Sequence, residues 1–326
     1  MNALVRSITV FALLAIYAAA PDAIAQRWPS KPVRMIVPFA AGGVVDIAAR
    51  AIAQELGQAY DQPVLVDNRP GANGNIGTDA CAKAAPDGYT ICLPTGVVIS
   101  LNPHAYARMP FDPARDLVPV VHVGVLDIAI VVHASLPARS VRELIELAKA
   151  KPGAIRWASL GTGSSAHLYL EWLRARTGAD FNHIPYKGQP PMVLAAVSGE
   201  VDISVLPPGV VLPQVKKGTL RVIAVMSGRK RSPMMPEVAT FQEQGYDLDF
   251  RNWLGVFLPR GTPNEIVMRL NADVNKLVGD PRFVEHYLSR MSITATGGTP
   301  EEFAAFLKSD RETAAELVRL AKLRYD

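Results

Sequence analysis

Short apolar runs and amphipathic segments alternate along almost the whole chain. In one amphipathic segment, Val45, Ala48 and Ile52 recur about every three to four positions, which predicts a helix with one buried face. The apolar runs are short and bounded by turn signals such as Pro86-Asp-Gly88, which is typical of buried strands. Strands and helices in alternation predict an α/β fold in which helices connect parallel strands.

The predicted elements form two sets and a tail. The first set comprises strands at 33–37, 64–67 and 89–93 and helices at 44–56 and 78–85. The second set begins near Leu126 and comprises strands at 128–132, 155–159, 181–184, 201–205 and 220–226 and helices at 144–150, 164–177 and 192–198. From Arg251 the pattern predicts one strand and helical segments at 263–279, 281–291 and 300–323. We expect the tail to return to the first set, so that residues 26–125 with 251–326 form one domain and residues 126–250 another, each a mainly parallel sheet flanked by helices.

The first 25 residues read as a secretory signal peptide. Arg6 precedes an apolar run over residues 8–20, and Ala23-Ile24-Ala25 has the small residues of a cleavage site. A membrane anchor is the alternative, but the run is shorter than the roughly 20 apolar residues that span a bilayer. We therefore expect cleavage after Ala25 and export to the periplasm.

Composition and charge point to an ordinary soluble globular protein. Hydrophobic residues make up 49% of the chain and charged residues 20%, with a net charge of +4. The densest basic run, Arg229-Lys230-Arg231, lies between a predicted strand and Pro233, where a solvated loop is more plausible than a nucleic-acid surface. We expect no nucleic-acid partner.

The two cysteines, Cys81 and Cys92, allow two interpretations. One lies late in a predicted helix and the other in the next strand, so that an oxidising compartment would permit a disulfide between them. Both also occupy apolar positions of the pattern, where buried free thiols are common. Their spacing does not suggest a metal site.

Two glycine-containing loops occur at corresponding places in the two sets. One runs from Phe39 to Gly43, between a strand and a helix, and the other follows Ser159 through Gly161 and Gly163. Each predicts a helix N-terminus at the carboxyl end of a strand, which is where open α/β sheets bind ligands. Two such loops facing each other across a cleft would hold a ligand from both sides.

Nucleotide sites fit these loops poorly. The run from Gly161 to Ala166 matches the G-x-G-x-x-A dinucleotide pattern, but the candidate ribose-binding acid, Asp180, precedes its strand instead of following it. No P-loop motif is present, and Asp46 places a carboxylate in the first helical turn, where it would repel phosphate. We expect Asp46 to bind the N–H groups of its own loop.

Catalytic motifs are also incomplete. Ser164, Ser165 and His167 are close together, but there is no G-x-S-x-G motif and no carboxylate that would orient a base. A secreted hydrolase that uses Ser164 or Ser165 remains the alternative hypothesis. Neither loop contains Lys or Arg, so an anion would be held by backbone N–H groups, hydroxyls and helix dipoles. This chemistry suits a small carboxylate bound reversibly, with no cofactor and no metal.

Ordered motifs over the whole mature chain resemble one protein family, the substrate-binding proteins of tripartite tricarboxylate transporters (Bug family, TctC-like periplasmic receptors). The motifs that carry the resemblance are Val37-Pro-Phe-Ala-Ala-Gly-Gly43 with Asp46, Asn68-Arg-Pro-Gly71, Gly74-Asn-Ile-Gly77, Ala84-Ala-Pro-Asp-Gly-Tyr-Thr90, Ser159 to His167, His183-Ile-Pro-Tyr-Lys-Gly188, Gly199-Glu-Val-Asp202 and Arg260-Gly-Thr-Pro263. The resemblance implies a non-enzymatic protein with a two-domain periplasmic-binding-protein fold of type II character, which closes on a ligand in the interdomain cleft.

The resemblance also implies a site and partners. A monomer would grip a small carboxylate, partly through bridging waters, and deliver it to membrane permease subunits; a sensory receptor for the same ligands would look alike. The implied ligand-binding residues are Phe39, Ala40, Ala41, Gly42, Gly43, Asp46, Thr95, Gly161, Thr162, Gly163, Ser164, Ser165, His167 and Tyr186.

One departure from the family bears on the ligand. After the strand at 201–205, members that bind amino acids tend to carry a polar residue facing the ligand, whereas this chain has Leu206-Pro207-Pro208. With Leu206 and Pro207 in the site, a ligand ammonium would lack a counter-charge. We therefore expect an apolar or aromatic dicarboxylate, such as terephthalate.

Overall fold

The computed structural model describes residues 28–226, 230–248 and 250–325. Its strands are β1 (Val33–Val37), β2 (Val64–Asn68), β3 (Thr90–Cys92), β4 (Leu117–Leu126), β5 (Ala129–His133), β6 (Arg156–Ser159), β7 (Asn182–Pro185), β8 (Ile203–Leu206), β9 (Leu220–Val225), β10 (Asn252–Pro259) and β11 (Ile293–Ala295). The main helices are α1 (Val44–Tyr60), α2 (Asn75–Ala82), α3 (Val141–Ala150), α4 (Ser165–Thr177), α5 (Gln189–Ser198), α6 (Pro208–Lys216), α7 (Asn264–Val278) and α8 (Pro300–Leu320). Short helical turns occupy Ala72–Gly74, Val97–Leu101, Asn102–Ala105, Pro113–Asp116, Pro281–Phe283, Val284–Leu288 and Ser289–Met291.

Two mixed sheets flanked by helices confirm the predicted α/β class. The first sheet has the strand order β11-β4-β10-β3-β1-β2 and the second has the order β7-β6-β8-β5-β9. We call each sheet with its helices the first unit and the second unit. β1 pairs in parallel with β2 and β3, and β6 pairs in parallel with β7 and β8. The other pairings are antiparallel, so both sheets are mixed. We had expected mainly parallel sheets.

The antiparallel strands include those that connect the two units. β4 ends at Leu126 in the first sheet and β5 begins at Ala129 in the second, while β10 brings the chain back beside β4. The sequence pattern did not predict β4, because Pro119 and Gly124 interrupt its apolar run. Gly124 lies against β11, and a Cβ there would come 2.5 Å from the carbonyl oxygen of Thr294.

The domain boundaries at 125/126 and 250/251 stay a prediction.

The final helix, α8, belongs to both hydrophobic cores. Phe303 and Leu307, near its start, are buried in a cluster of the first unit, together with Trp253 of β10. Leu317 and Val318, near its end, are buried in the main cluster of the second unit. α8 therefore packs on both units, with its start in one core and its end in the other.

A disulfide connects Cys81 of α2 to Cys92 of β3, with 6.2 Å between their Cα atoms. Both cysteines are fully buried in the first unit. The predicted signal peptide, residues 1–25, lies outside the described residues. Within the described ranges, no helix is long and apolar enough to cross a membrane.

Candidate functional site

The first glycine loop connects β1 to α1 and is held in place by Asp46. The Asp46 carboxylate accepts hydrogen bonds from Gly42 N–H (2.9 Å), Asn68 Nδ2 (2.9 Å) and Arg50 Nε (3.0 Å), and Asp46 is only 3% exposed. Burial alone would raise the pKa of Asp46, but Arg50 and the donors from Gly42 and Asn68 outweigh burial and lower it. Gly42 has a φ of 78°, a conformation that favours glycine. Asp46 therefore braces the loop from inside, as expected, and its oxygens are engaged there.

The loop keeps some N–H groups available. Gly42 N–H is bonded to Asp46, and Val44 N–H donates to Gln189 Oε1 of the second unit (2.9 Å). Among the described residues, no acceptor is paired with the N–H groups of Ala41 and Gly43. These N–H groups lie at the start of α1, where the helix dipole favours an anion.

The second glycine loop connects β6 to α4 and is braced by buried hydroxyls. Ser159 Oγ accepts from Gly161 N–H (3.0 Å) and lies 2.6 Å from His183 Nε2, while Ser164 Oγ donates to the Gly161 carbonyl (2.7 Å). Thr162 is exposed and Ser165 is half-buried, and their N–H and hydroxyl groups have no partner in the part of the chain that is described. The second loop thus offers neutral donors as well.

His167, in the first turn of α4, supports the second loop through a hydrogen bond to its backbone. Its Nδ1 accepts from Gly163 N–H (3.3 Å), and its ring stacks on that of His183 at 4.5 Å. Burial, then His183 and then Arg174 lower the pKa of His167 to about 4, so that it is neutral near pH 7. With Nδ1 used in this way and Ser164 bonded to Gly161, no serine–histidine nucleophile is formed at Ser164.

A turn of the first unit connects the two loops. The Asn73 side chain donates to the Gly163 carbonyl of the second loop (2.7 Å) and to Asn102 Oδ1 (2.9 Å). Phe39 of the first loop packs close to Gly74 on the same turn. Both glycine loops therefore contact the same turn, Ala72–Gly74.

The sequence of residues 48–321 matches the family model described as "Tripartite tricarboxylate transporter family receptor". The chain belongs to this receptor family. The receptor is similar to the structure of the periplasmic binding protein BugD, with 31% identity and a TM-score of 0.84, over 92% of this chain and 100% of BugD. It is also similar to Rhodopseudomonas palustris Rpa4515 with adipate, with 32% identity and a TM-score of 0.85, over 91% and 99% of the two chains. A third neighbour is MatC (Rpa3494) from Rhodopseudomonas palustris with bound malate, with 25% identity and a TM-score of 0.82, over 89% and 100%.

Membership settles the class of protein. The receptor is a solute-binding protein of a family of periplasmic binding proteins, and it is not an enzyme. The resemblance inferred from the motifs is confirmed, and the hydrolase alternative is not retained. Within the described residues, no group of three or more His, Cys, Asp or Glu could hold a metal ion.

Leu206 is placed differently from our expectation. It is 0% exposed and packs with Met192 and Val211 in an apolar cluster under α5 and α6. Along β8, Ile203 and Val205 point to the opposite cluster, so alternation turns Leu206 towards the helices. Pro207 is buried at the start of α6. Leu206 therefore offers no surface to a ligand in this structure, and the expected contact is corrected.

Two other predicted site residues are also engaged. Thr95, three residues after β3, is 8% exposed and forms an isolated bridge with Leu254 of β10. The Tyr186 hydroxyl donates to Glu200 (2.7 Å), and burial followed by that carboxylate raises the pKa of Tyr186 to about 12. Their contact with a ligand stays a prediction.

Sequence reasoning missed three residues that contact the two glycine loops or the helices that follow them: Asn73, Gln189 and Tyr325. Asn73 lies between two of the family motifs, Asn68–Gly71 and Gly74–Gly77. Its φ of 52° is the kind of conformation for which an Asn-Gly pair is a signal. Gln189 begins α5 and Tyr325 follows α8. The Tyr325 hydroxyl lies 3.3 Å from His167 Nδ1, a contact between residues 158 positions apart that no local pattern could have indicated.

Proposed function

We propose that this receptor captures a small dicarboxylate with an apolar or aromatic body, such as adipate or terephthalate, and delivers it to the membrane permease subunits of a tripartite tricarboxylate transporter. The ligand would lie between the two glycine loops, with the two predicted domains closing on it. The mature protein would begin after Ala25 and act as a monomer in the periplasm.

The observation that carries the proposal is the set of neutral donors on both loops. Ala41 and Gly43 on one loop, and Thr162 and Ser165 on the other, have N–H or hydroxyl groups without partners among the described residues. Each set lies at the start of a long helix, α1 or α4, whose dipole favours negative charge. A ligand with a carboxylate at each end could use both sets together.

The nearby carboxylates do not favour an amino acid. An ammonium group buried without a counter-charge costs several kcal/mol, whereas micromolar binding is worth only about 8 kcal/mol. Asp46 is engaged by Gly42, Arg50 and Asn68. Glu171 lies next to Arg174 and His167, behind the second loop. Neither carboxylate is left for a ligand amine.

The related structures support a dicarboxylate but differ in polarity. Adipate has an apolar chain between its carboxylates, and malate carries a hydroxyl group; each is bound by a relative of this receptor. Because Leu206 is buried, the preference for an apolar body rests on Phe39, which is half-buried in the first loop. Apolar surface buried there would contribute about 25 cal/mol per Å².

Calorimetry on the mature wild-type protein tests the ligand class. We expect micromolar binding of adipate or terephthalate, weaker binding of malate, and no binding of aspartate or glutamate at the same concentrations. The Ser165→Ala variant should bind adipate several-fold more weakly, because it loses one donor. Ser309→Ala, on the exposed side of α8, serves as the matched control. Micromolar binding of an amino acid, with none of the dicarboxylates, would overturn the proposal.

A further inference from the structure

The first turn of α5 in the second unit packs directly on the first glycine loop. Val44 N–H donates to Gln189 Oε1 at 2.9 Å. A Cβ on Gly42 would lie 3.4 Å from Pro190 Cγ, and a Cβ on Gly188 would lie 3.2 Å from Ala40 Cβ. This contact brings the two units together at the loop that we propose binds the ligand.

The Val44 N–H belongs to the first residue of α1, and α1 has no cap of its own. Gly43 occupies the N-cap position, and no side-chain cap bonds there from within the helix. A residue such as Ser or Asp at that position would satisfy an N–H group of the first turn. Such a cap reaches the N–H group of the second or third helical residue. The N–H group of Val44, the first helical residue, therefore needs an acceptor from elsewhere, and the carboxamide of Gln189 supplies it.

We propose that Gln189 holds the two units together by capping α1, and that it competes with a ligand carboxylate for the Val44 N–H. The second half of the inference rests on the proposed function. One N–H group donates one good hydrogen bond, so Gln189 and a carboxylate are alternative acceptors. An interaction that a ligand must displace lowers the affinity for that ligand. Gln189 thus sets both how closed the receptor is and how tightly it binds.

Two substitutions of Gln189 should change the ligand affinity in opposite directions. Alanine removes the cap and the competitor together, so the units separate more easily and the N–H becomes free. Glutamate keeps an acceptor in place, and its charge is favoured at a helix start. The same charge repels an anionic ligand. Alanine and glutamate should therefore move the affinity in opposite directions, which a merely structural role of Gln189 would not produce.

The distance between the units can be measured without any ligand. Ile47 and Leu194 are 37% and 71% exposed, one turn beyond Gly43 on α1 and Pro190 on α5. Spin labels on Ile47→Cys and Leu194→Cys report this distance, and the native cysteines are engaged in their disulfide. We expect Gln189→Ala to shift the distance distribution to longer values. Gln189→Glu and the exposed control Gln58→Ala should keep the short distance.

Adipate affinity, measured by calorimetry on unlabelled protein, tests the competition. We expect Gln189→Ala to bind about fivefold more tightly, because one neutral hydrogen bond no longer competes. Gln189→Glu should bind at least tenfold more weakly, and Gln58→Ala should match the wild type. An unchanged distance in Gln189→Ala overturns the capping role. Weaker binding by Gln189→Ala overturns the competition, because Gln189 would then support the ligand.

The outcomes separate this inference from the proposed function. If the wild type binds none of adipate, terephthalate and malate, the proposed ligand class is wrong. The proposed competition between Gln189 and a ligand carboxylate is then wrong as well. The distance measurement still decides whether Gln189 caps α1. If the wild type binds adipate and the variants bind equally well at equal distances, the proposed function stands and the inference about Gln189 is wrong.

Discussion

Asp46 illustrates how a carboxylate can stand beside a loop that we propose binds an anion. Its charge is balanced by Arg50, and its two oxygens accept from Gly42 N–H and the Asn68 amide. The Asn68 amide also donates to the Phe39 carbonyl (3.1 Å), so the same few groups hold both ends of the loop. The negative charge therefore serves to position the backbone of the loop.

Removing this carboxylate should loosen the loop. We expect Asp46→Ala to lower the free energy of unfolding by about 2 to 3 kcal/mol, because several donors around a buried charge lose their acceptor. Asp46→Asn should cost less stability, and both variants should bind adipate more weakly. Chemical denaturation and calorimetry measure the two effects. Glu316→Ala, from an exposed pair with Arg319, is the control and should change little. Tighter adipate binding by Asp46→Ala would show that Asp46 only repels the ligand.

Single residues were predicted well where local chemistry decides their role. An acid in the first turn of a helix after a glycine loop is enough to indicate that Asp46 binds its own loop. Leu206 was misplaced because the predicted strand, at 201–205, ends one residue early, whereas β8 is Ile203–Leu206. Successive residues of a strand face opposite sides, so a shift of one residue changes the neighbours of a side chain completely.

Elements that follow one periodic pattern were also predictable, and connecting elements were not. The start of α1 and the end of α4 agree with the sequence pattern to the residue. α6 was missed because Pro213 lies inside it, and Pro normally argues against a helix interior. β4 and β11 pair with strands far away in sequence, and this pairing is a property of the fold as a whole.

The disulfide between α2 and β3 should stabilise the first unit. It closes a loop with a sequence separation of 11, for which the chain-entropy model gives about 3 kcal/mol. We expect the double variant Cys81→Ala/Cys92→Ala to lose at least this much free energy of unfolding in urea. Reductant should destabilise the wild type by a similar amount and leave the double variant unchanged. Equal stability of the wild type with and without reductant would contradict the prediction.

At the scale of the whole molecule, each unit contains a neutral histidine that is mostly removed from solvent: His122 is 6% exposed and the His167 side chain 12%. Burial lowers the pKa of His122, which stacks against the rings of Phe303 and Phe306 in the first unit, to about 4. Burial and its neighbours lower the pKa of His167 in the second unit to about 4 as well. In an unfolded chain the pKa of histidine is about 6.5. Between these values the unfolded state binds more protons, so stability falls as the pH decreases from about 6.5 to about 4.

Acid should therefore destabilise both units before most carboxylates are protonated. As the pH falls from about 6.5 to about 4, each histidine lowers the free energy of unfolding by up to about 3 kcal/mol, at about 1.4 kcal/mol per pH unit. We expect the combined variant His122→Phe/His167→Gln to lose less than half as much stability as the wild type between about pH 7 and pH 4.5, measured by urea unfolding. Phenylalanine preserves the stacking and glutamine preserves an acceptor. The exposed His286→Phe is the control, and an equal pH dependence in the combined variant would contradict this account.

The position of Tyr325 has a consequence for how the protein is made. Its backbone pairs with Ala105 and Ala107, and its hydroxyl lies beside His167, which supports the second glycine loop. Contacts between residues so far apart close very large loops, and the chain entropy of that closure is lost before the contact forms. A growing polypeptide cannot complete this support until residue 325 has been synthesised. We expect the second glycine loop to acquire its final geometry at the end of folding, so that a partly made chain carries no finished ligand site.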